Sequence, residues 1–152
     1  GNIAGGISTI EEKSLGCIYK GGTTKIVEVV NYAEKPSKRG LVIMDSPGFD
    51  VDSVTGMVAS GAQICIFSTG RGTPVGNPII PVIKITGNPE TYDKMRDNID
   101  INAGAILKGE TSIYDIGKII FQEIIEVANG KMTKAESFGF SESSIWRCGI
   151  SV

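Results

Sequence analysis

From residue 41 onward, short apolar runs alternate with stretches of helical periodicity. Residues 41–45 (LVIMD) form a compact apolar run with the character of a buried parallel strand. Residues 51–61 (VDSVTGMVASG) then read as a helix stopped by Gly61. A second strand is expected in 62–68 (AQICIFS) and a third in 81–86 (PVIKIT), separated by the Gly/Pro-rich loop TGRGTPVGNP. After the third strand, Asn88 and Pro89 begin another helix as N-cap and first-turn residue. The most regular pattern spans 113–129, where Ile113, Ile116, Ile120, Ile124 and Val127 form an apolar stripe. Asp115, Lys118, Gln122 and Glu126 form its polar stripe, Ser112 with Asp115 marks the start, and Gly130 marks the end.

The first forty residues are less regular. Ser8 with Glu11, and Thr9 with Glu12, both fit a helix capping box, and Gly21-Gly22 ends that helix. TKIVEVVNYAE is ambiguous between a strand and a short helix, and EKPSKRG is a loop. The last ten residues, SSIWRCGISV, read as a final strand or extended tail. Strands alternating with helices predict an α/β fold, a Rossmann-like three-layer domain with a mostly parallel sheet, occupying residues 1–152 as one domain.

In such sheets ligands bind beyond the carboxyl ends of the strands. Three loops are expected there, at 46–50, 69–76 and 86–88, and they converge if their strands are neighbours. The first contains Asp-Ser-Pro-Gly, which resembles the γ-phosphate-facing loop of GTPases. A phosphate-binding P-loop is missing, however: the Gly-Lys pairs at 117–118 and 130–131 lack both the upstream Gly and the following Ser or Thr. The dinucleotide fingerprint is missing as well, because GRGTPVG carries one residue too many between its second and third Gly. Residues 45–50 therefore read as a strand end and tight turn, with Asp45 or Asp50 capping the next helix. Asp100 and Asn102 read as turn-formers.

STGRGTPVG holds the strongest chemical candidate. Arg71 lies between Gly70 and Gly72, with Thr69 and Thr73 on either side. A guanidinium flanked by hydroxyls and approachable backbone amides suits a carboxylate; a plain Gly/Pro turn with an exposed Arg fits the same residues. Glu12 and Lys13 are either helix capping with solvated charge or, functionally, an acid or metal-proximal group and a charge or base.

Charge narrows the function classes. A net charge of −2 and a pI near 5.2 give no footprint for nucleic acid. No apolar run approaches the roughly 20 residues of a bilayer span, and a cytoplasmic location is expected. Cys17, Cys65 and Cys148 are odd in number and lack metal-ligand spacing, so at least two buried, reduced thiols are expected. There is no His, which removes the commonest acid-base residue and metal ligand. The chain opens on GNIAGG without Met, as a fragment of a longer protein or a processed or engineered start would.

GGISTIEEKSLGCIYKGG, FSTGRGTPVGNPIIPVIKIT, DINAGAI and EVANGKMTKAE, taken in order, resemble the C-terminal part of the altronate and galactarate dehydratase family. The resemblance implies a hydro-lyase that removes water from an aldonic or aldaric acid to give a 2-keto-3-deoxy product. It implies a divalent metal, iron(II) or manganese, bound mostly by segments ahead of this one, and a fragment inactive alone. A related branch eliminates sulfite from sulfolactate. By resemblance, Thr69, Gly70, Arg71, Gly72 and Thr73 bind substrate, with Glu12 and Lys13 as catalytic candidates. The family more commonly reads TTGRGTPYG; here Ser68 and Val75 stand instead, and Val75 removes a phenol. Expected partners are the sugar acid, the remaining domains of the enzyme and, as an open option, further copies of the chain; nucleic acid and membrane are not expected. The alternatives are an anion-binding regulatory module, a scaffold domain, or part of a sulfolactate sulfo-lyase subunit.

Overall fold

The computed structural model describes residues 8–145, apart from the side chains of Ile10, Lys13, Ser14 and Lys20. The expected C-terminal strand falls mostly outside the described residues, as does Cys148. The chain forms two compact units: one comprises residues 1–29 and 36–43, the other 30–35 and 44–152.

In the first unit, helix α1 (Ile10–Lys20) begins where Thr9 accepts the Glu12 amide and ends at Gly21, with Gly22 at φ +71°. Strand β1 (Ile26–Val30) resolves the ambiguous TKIVEVV segment, and β2 (Leu41–Met44) pairs with it in a two-stranded sheet. Here the structure departs from expectation. LVIM is only half-buried and its partner is β1, so the loop at 46–50 does not leave from the same sheet as the other two loops. Strand pairing is a non-local choice, and the apolar run did not specify it.

The second unit is built around the parallel sheet β3-β4-β5, with β3 at Cys65–Thr69, β4 at Val82–Thr86 and β5 at Ile101–Asn102. All five residues of the central strand β4 are buried, as a strand with two neighbours and two covered faces requires. Successive side chains point to opposite faces, and two apolar clusters follow from that. Val82 and Cys65 pack with Val54 of α2 (Asp50–Ala59) and with Val75 and Ile80 of the long loop. Ile83, Ile85 and Ile101 pack with Val127, Ile120 and Ile124 of α4 (Ile113–Ala128). Helices thus cover both faces, and the class is α/β with parallel strands.

Helix α3 (Pro89–Lys94) starts as expected, with the Asn88 side chain accepting from the Glu90 and Thr91 amides. Helix α2 does not: its N-cap is Phe49, which offers no side-chain acceptor, while Asp50 lies inside the first turn. There Asp50 and Asp52 act on the helix dipole rather than by capping. The two-residue strand β5, a single 3-10 turn at Ala103–Ile106 and a short helix α5 (Lys134–Ser137) lay below the sequence signal. Along α4 the expected stripe holds at Ile116, Ile120, Ile124 and Val127, but Ile113 is exposed, as are Tyr114 and Phe121. No helix among the described residues is long and apolar enough to cross a membrane.

Cys65 is buried and Cys17 exposed, so of the two buried thiols expected, Cys65 is the one found among the described residues. Burial pushes the Cys65 thiol up to about 11, leaving almost no thiolate near neutrality. Alkylation of the folded protein at pH 8, followed by peptide mass spectrometry, is expected to label Cys17 and to reach Cys65 only after denaturation. Equal labelling rates at the two positions would contradict the packing of β3.

Candidate functional site

The register of the second sheet places Thr69, Thr86 and Asn102 in one row at the carboxyl edge. Each of the three turns its side-chain oxygen back on the departing chain. Thr69 Oγ1 accepts from the Gly72 amide at 3.0 Å, Thr86 Oγ1 from the Asn88 amide at 3.2 Å, and Asn102 Oδ1 from the Gly104 amide at 2.9 Å. Such local bonds replace the ladder that a strand loses at its end and fix the direction in which each loop leaves.

Thr69 and the loop after it carry the predicted substrate-binding residues together. The Thr69–Gly72 bond closes a tight turn with Gly70 and Arg71 at its tip, both exposed. From α3, the Thr91 hydroxyl donates to the Gly70 carbonyl at 2.8 Å. Gly72 has φ +88°, a backbone conformation that calls for glycine, and a Cβ there would press on the flexible end of the Met95 side chain. Among the described residues, Arg71 makes no ion pair. Thr73 is buried, and its hydroxyl accepts from the Val75 amide within the loop.

Sequence reasoning passed over the group beneath this loop. Lys84, the middle residue of β4, is fully buried on the same face as Val82 and Thr86. Its Nζ donates to the Pro74 and Val75 carbonyls, each at 3.1 Å. Burial depresses its pKa, opposed by the nearby Asp100 and Glu142 carboxylates. The signal was available in PVIKIT: a lysine inside an apolar strand, at even spacing from Val82 and Thr86, has no route to solvent along its own face.

Further support comes from two carboxylates. Glu142 Oε2 accepts from the Gly76 amide at 2.9 Å. Asp100 accepts from the Lys84 amide at 2.7 Å and from the Lys134 amide at 2.9 Å, so this residue, expected to form only a turn, braces the central strand against α5.

Glu12 and Lys13 belong to the first unit. The Ser8 hydroxyl and the Ser8 amide both donate to the Glu12 carboxylate, the latter at 2.7 Å, and they hold its pKa below the usual range. These bonds make Glu12 part of the helix start. The Lys13 side chain lies outside the described residues. Among the described residues, no group of three or more His, Cys, Asp or Glu is placed to hold a metal ion, so they do not by themselves form the site of the divalent metal that the resemblance implies.

Comparison with known proteins agrees with the sequence resemblance. The family model "D-galactarate/Altronate dehydratase, C-terminal" matches residues 1–151. The chain is 37% identical over its whole length to altronate dehydratase of Bacillus subtilis, covering 30% of that protein. It is 44% identical over 131 residues, 86% of its length, to galactarate dehydratase (L-threo-forming) of Escherichia coli, covering 25% of that protein. It is 40% identical over 148 residues, 97% of its length, to the (2R)-sulfolactate sulfo-lyase subunit beta of Chromohalobacter salexigens, covering 38% of it. The chain thus spans well under half the length of each of these curated relatives.

Proposed function

The chain belongs to the D-galactarate/altronate dehydratase C-terminal family, and on that premise we propose that it holds the substrate carboxylate in a sugar-acid hydro-lyase. Arg71 carries this reading. It is an exposed guanidinium at the tip of a turn whose backbone is tied to Thr69 and Thr91. It has no ion-pair partner among the described residues. A charged group presented on so constrained a turn fits an anionic ligand better than a merely solvated arginine.

Elimination of water next to a carboxylate requires loss of the α-proton and departure of the neighbouring hydroxyl. Negative charge then spreads onto the carboxylate as an enediolate. A fixed guanidinium fork against both oxygens strengthens as that charge develops, which is what a catalytic contact must do. Gly70 and Gly72 keep the flanks of the fork free of side chains. The Thr69 oxygen is engaged by Gly72, which leaves its hydroxyl proton for a substrate oxygen. Thr73, buried, shapes the loop from within. In the first unit, Glu12, whose pKa the Ser8 hydrogen bonds lower, and Lys13, the next residue in the sequence, are the candidate catalytic residues. A divalent metal, iron(II) or manganese, would stabilise the enediolate when bound in the whole enzyme, with ligands supplied by the remainder of that enzyme. The expected product is a 2-keto-3-deoxy acid.

Altronate, galactarate and sulfolactate share the carboxylate that Arg71 would hold and differ in the rest of the molecule, so all three belong in the assay. In the full-length enzyme, Arg71→Ala is expected to lower kcat/KM for the preferred acid by about ten- to hundredfold, the worth of a charge-assisted contact of ~1.5–3 kcal/mol. Arg71→Lys should recover only part of the loss, because an ammonium cannot form the fork. An unchanged kcat/KM in Arg71→Ala would remove the carboxylate clamp, and failure to turn over any of the three acids would remove the substrate class.

A further inference from the structure

Lys84 and Glu142 approach the Arg71 loop from different parts of the chain and meet at a single peptide unit. The carbonyl of that unit belongs to Val75 and its amide N–H to Gly76. The Lys84 ammonium donates to the Val75 carbonyl at 3.1 Å, and the Glu142 carboxylate accepts from the Gly76 amide at 2.9 Å. A cation therefore sits at the oxygen end of the peptide dipole and an anion at the hydrogen end. Lys84 adds a second bond to the preceding carbonyl, that of Pro74, also at 3.1 Å.

We propose that Lys84 and Glu142 form a charge clamp that fixes the orientation of the Val75–Gly76 peptide and so positions Arg71 for its ligand. The proposal rests on Arg71 being the carboxylate-binding group. Rotating this peptide by half a turn would aim its N–H at an ammonium and its carbonyl at a carboxylate. Both contacts would become repulsive, so the flipped loop is strongly disfavoured.

Packing points the same way. Lys84 is fully buried in a strand whose other members are Val82, Ile83, Ile85 and Thr86. An unbranched apolar side chain would fill that space at lower desolvation cost. What lysine adds is donors at the end of a four-carbon stem, and two of them are aimed at loop carbonyls. The segment bearing Glu142 is itself seated against the loop: a Cβ on Gly76 would fall 2.3 Å from the Phe140 carbonyl, and the Phe140 ring centroid lies 5.9 Å from the Lys84 ammonium. The loop is held from below by the strand and from the side by a segment 66 residues further along the chain.

Positioning and plain structural support differ in how they combine with Arg71. In the full-length enzyme, Lys84→Met and Glu142→Ala are each expected to speed hydrogen exchange of the Gly72, Thr73, Val75 and Gly76 amides by roughly tenfold or more, with exchange in β4 and α4 little changed. Each should also lower kcat/KM for the preferred acid by about tenfold, and each should have little further effect once Arg71 is already Ala, because residues acting through one group are not additive. Glu142 is only half-buried, so Glu142→Ala carries the test if Lys84→Met does not fold. Unchanged exchange across the loop in Glu142→Ala would overturn the clamp. So would losses that multiply with that of Arg71→Ala. If Arg71→Ala itself leaves kcat/KM intact, the carboxylate reading and the positioning of Arg71 fall together. The exchange data then still report whether the peptide is held by the two charges.

Discussion

Asp100→Ala is expected to destabilise the protein by about 3–5 kcal/mol, because it orphans two amides and removes a charge near a buried ammonium. The Asp100 carboxylate accepts from the amides of Lys84 and Lys134, at 2.7 and 2.9 Å, while its own amide donates to the Lys84 carbonyl at 3.0 Å. One orphaned amide would lie in the middle of a strand in which every residue is buried. A hydrogen bond to a charged acceptor contributes roughly 1.5–3 kcal/mol, and an unsatisfied buried donor costs a similar amount. The Asp100 charge also opposes the depression of the Lys84 pKa, so its loss makes the buried ammonium harder to keep. Asp100→Asn retains one good acceptor and turns an NH2 group toward the other amide, and should fall between wild type and Ala. Urea unfolding would measure the difference; a loss below about 1 kcal/mol in Asp100→Ala would mean that solvent reaches these amides.

Gly76→Ala is the second large expected effect, at about 3 kcal/mol or more, the upper range of forcing extra volume into a packed site. The added Cβ would lie 2.3 Å from the Phe140 carbonyl oxygen and 2.9 Å from its carbonyl carbon. Those atoms are backbone and cannot rotate aside as a side chain can, so either the loop or the 140–142 segment must lift. Lifting either one also breaks the bond from the Gly76 amide to Glu142. Gly70→Ala is the control in the same loop, since its Cβ would meet nothing within 4 Å. It should change stability by no more than about 0.5 kcal/mol, as surface substitutions do. Thermal unfolding of the two variants side by side distinguishes a steric cause from a general intolerance of the loop; equal destabilisation would reject the steric account.

The parts of the fold that sequence revealed are those set by neighbours in the chain. Asn88-Pro89 and Ser112 start their helices as their chemistry dictates. The apolar runs around Cys65 and Val82 are strands, and parallel ones. Long-range choices were hidden. Nothing within LVIM says that its partner is β1 rather than β3. Nothing in RGTPVG says that Gly76 waits for a carboxylate at position 142. Asp100 looked like a turn residue because its two acceptor roles, toward Lys84 and Lys134, involve partners 16 and 34 residues away. Residue type and flanking glycines were enough to single out Arg71 as a candidate. The bonds from Lys84 to the Pro74 and Val75 carbonyls were less legible, although the lysine stood in plain view within an apolar strand.

The row formed by Thr69, Thr86 and Asn102 has a broader consequence. Each strand terminates in a self-contained knot: one side-chain oxygen gripping an amide two or three residues on. The exits from the sheet therefore do not depend on what the intervening segments recognise. Exposed residues further along those segments can change without moving the stumps on which they are mounted. Such a chassis keeps the three strand ends in place whatever the segments between them carry.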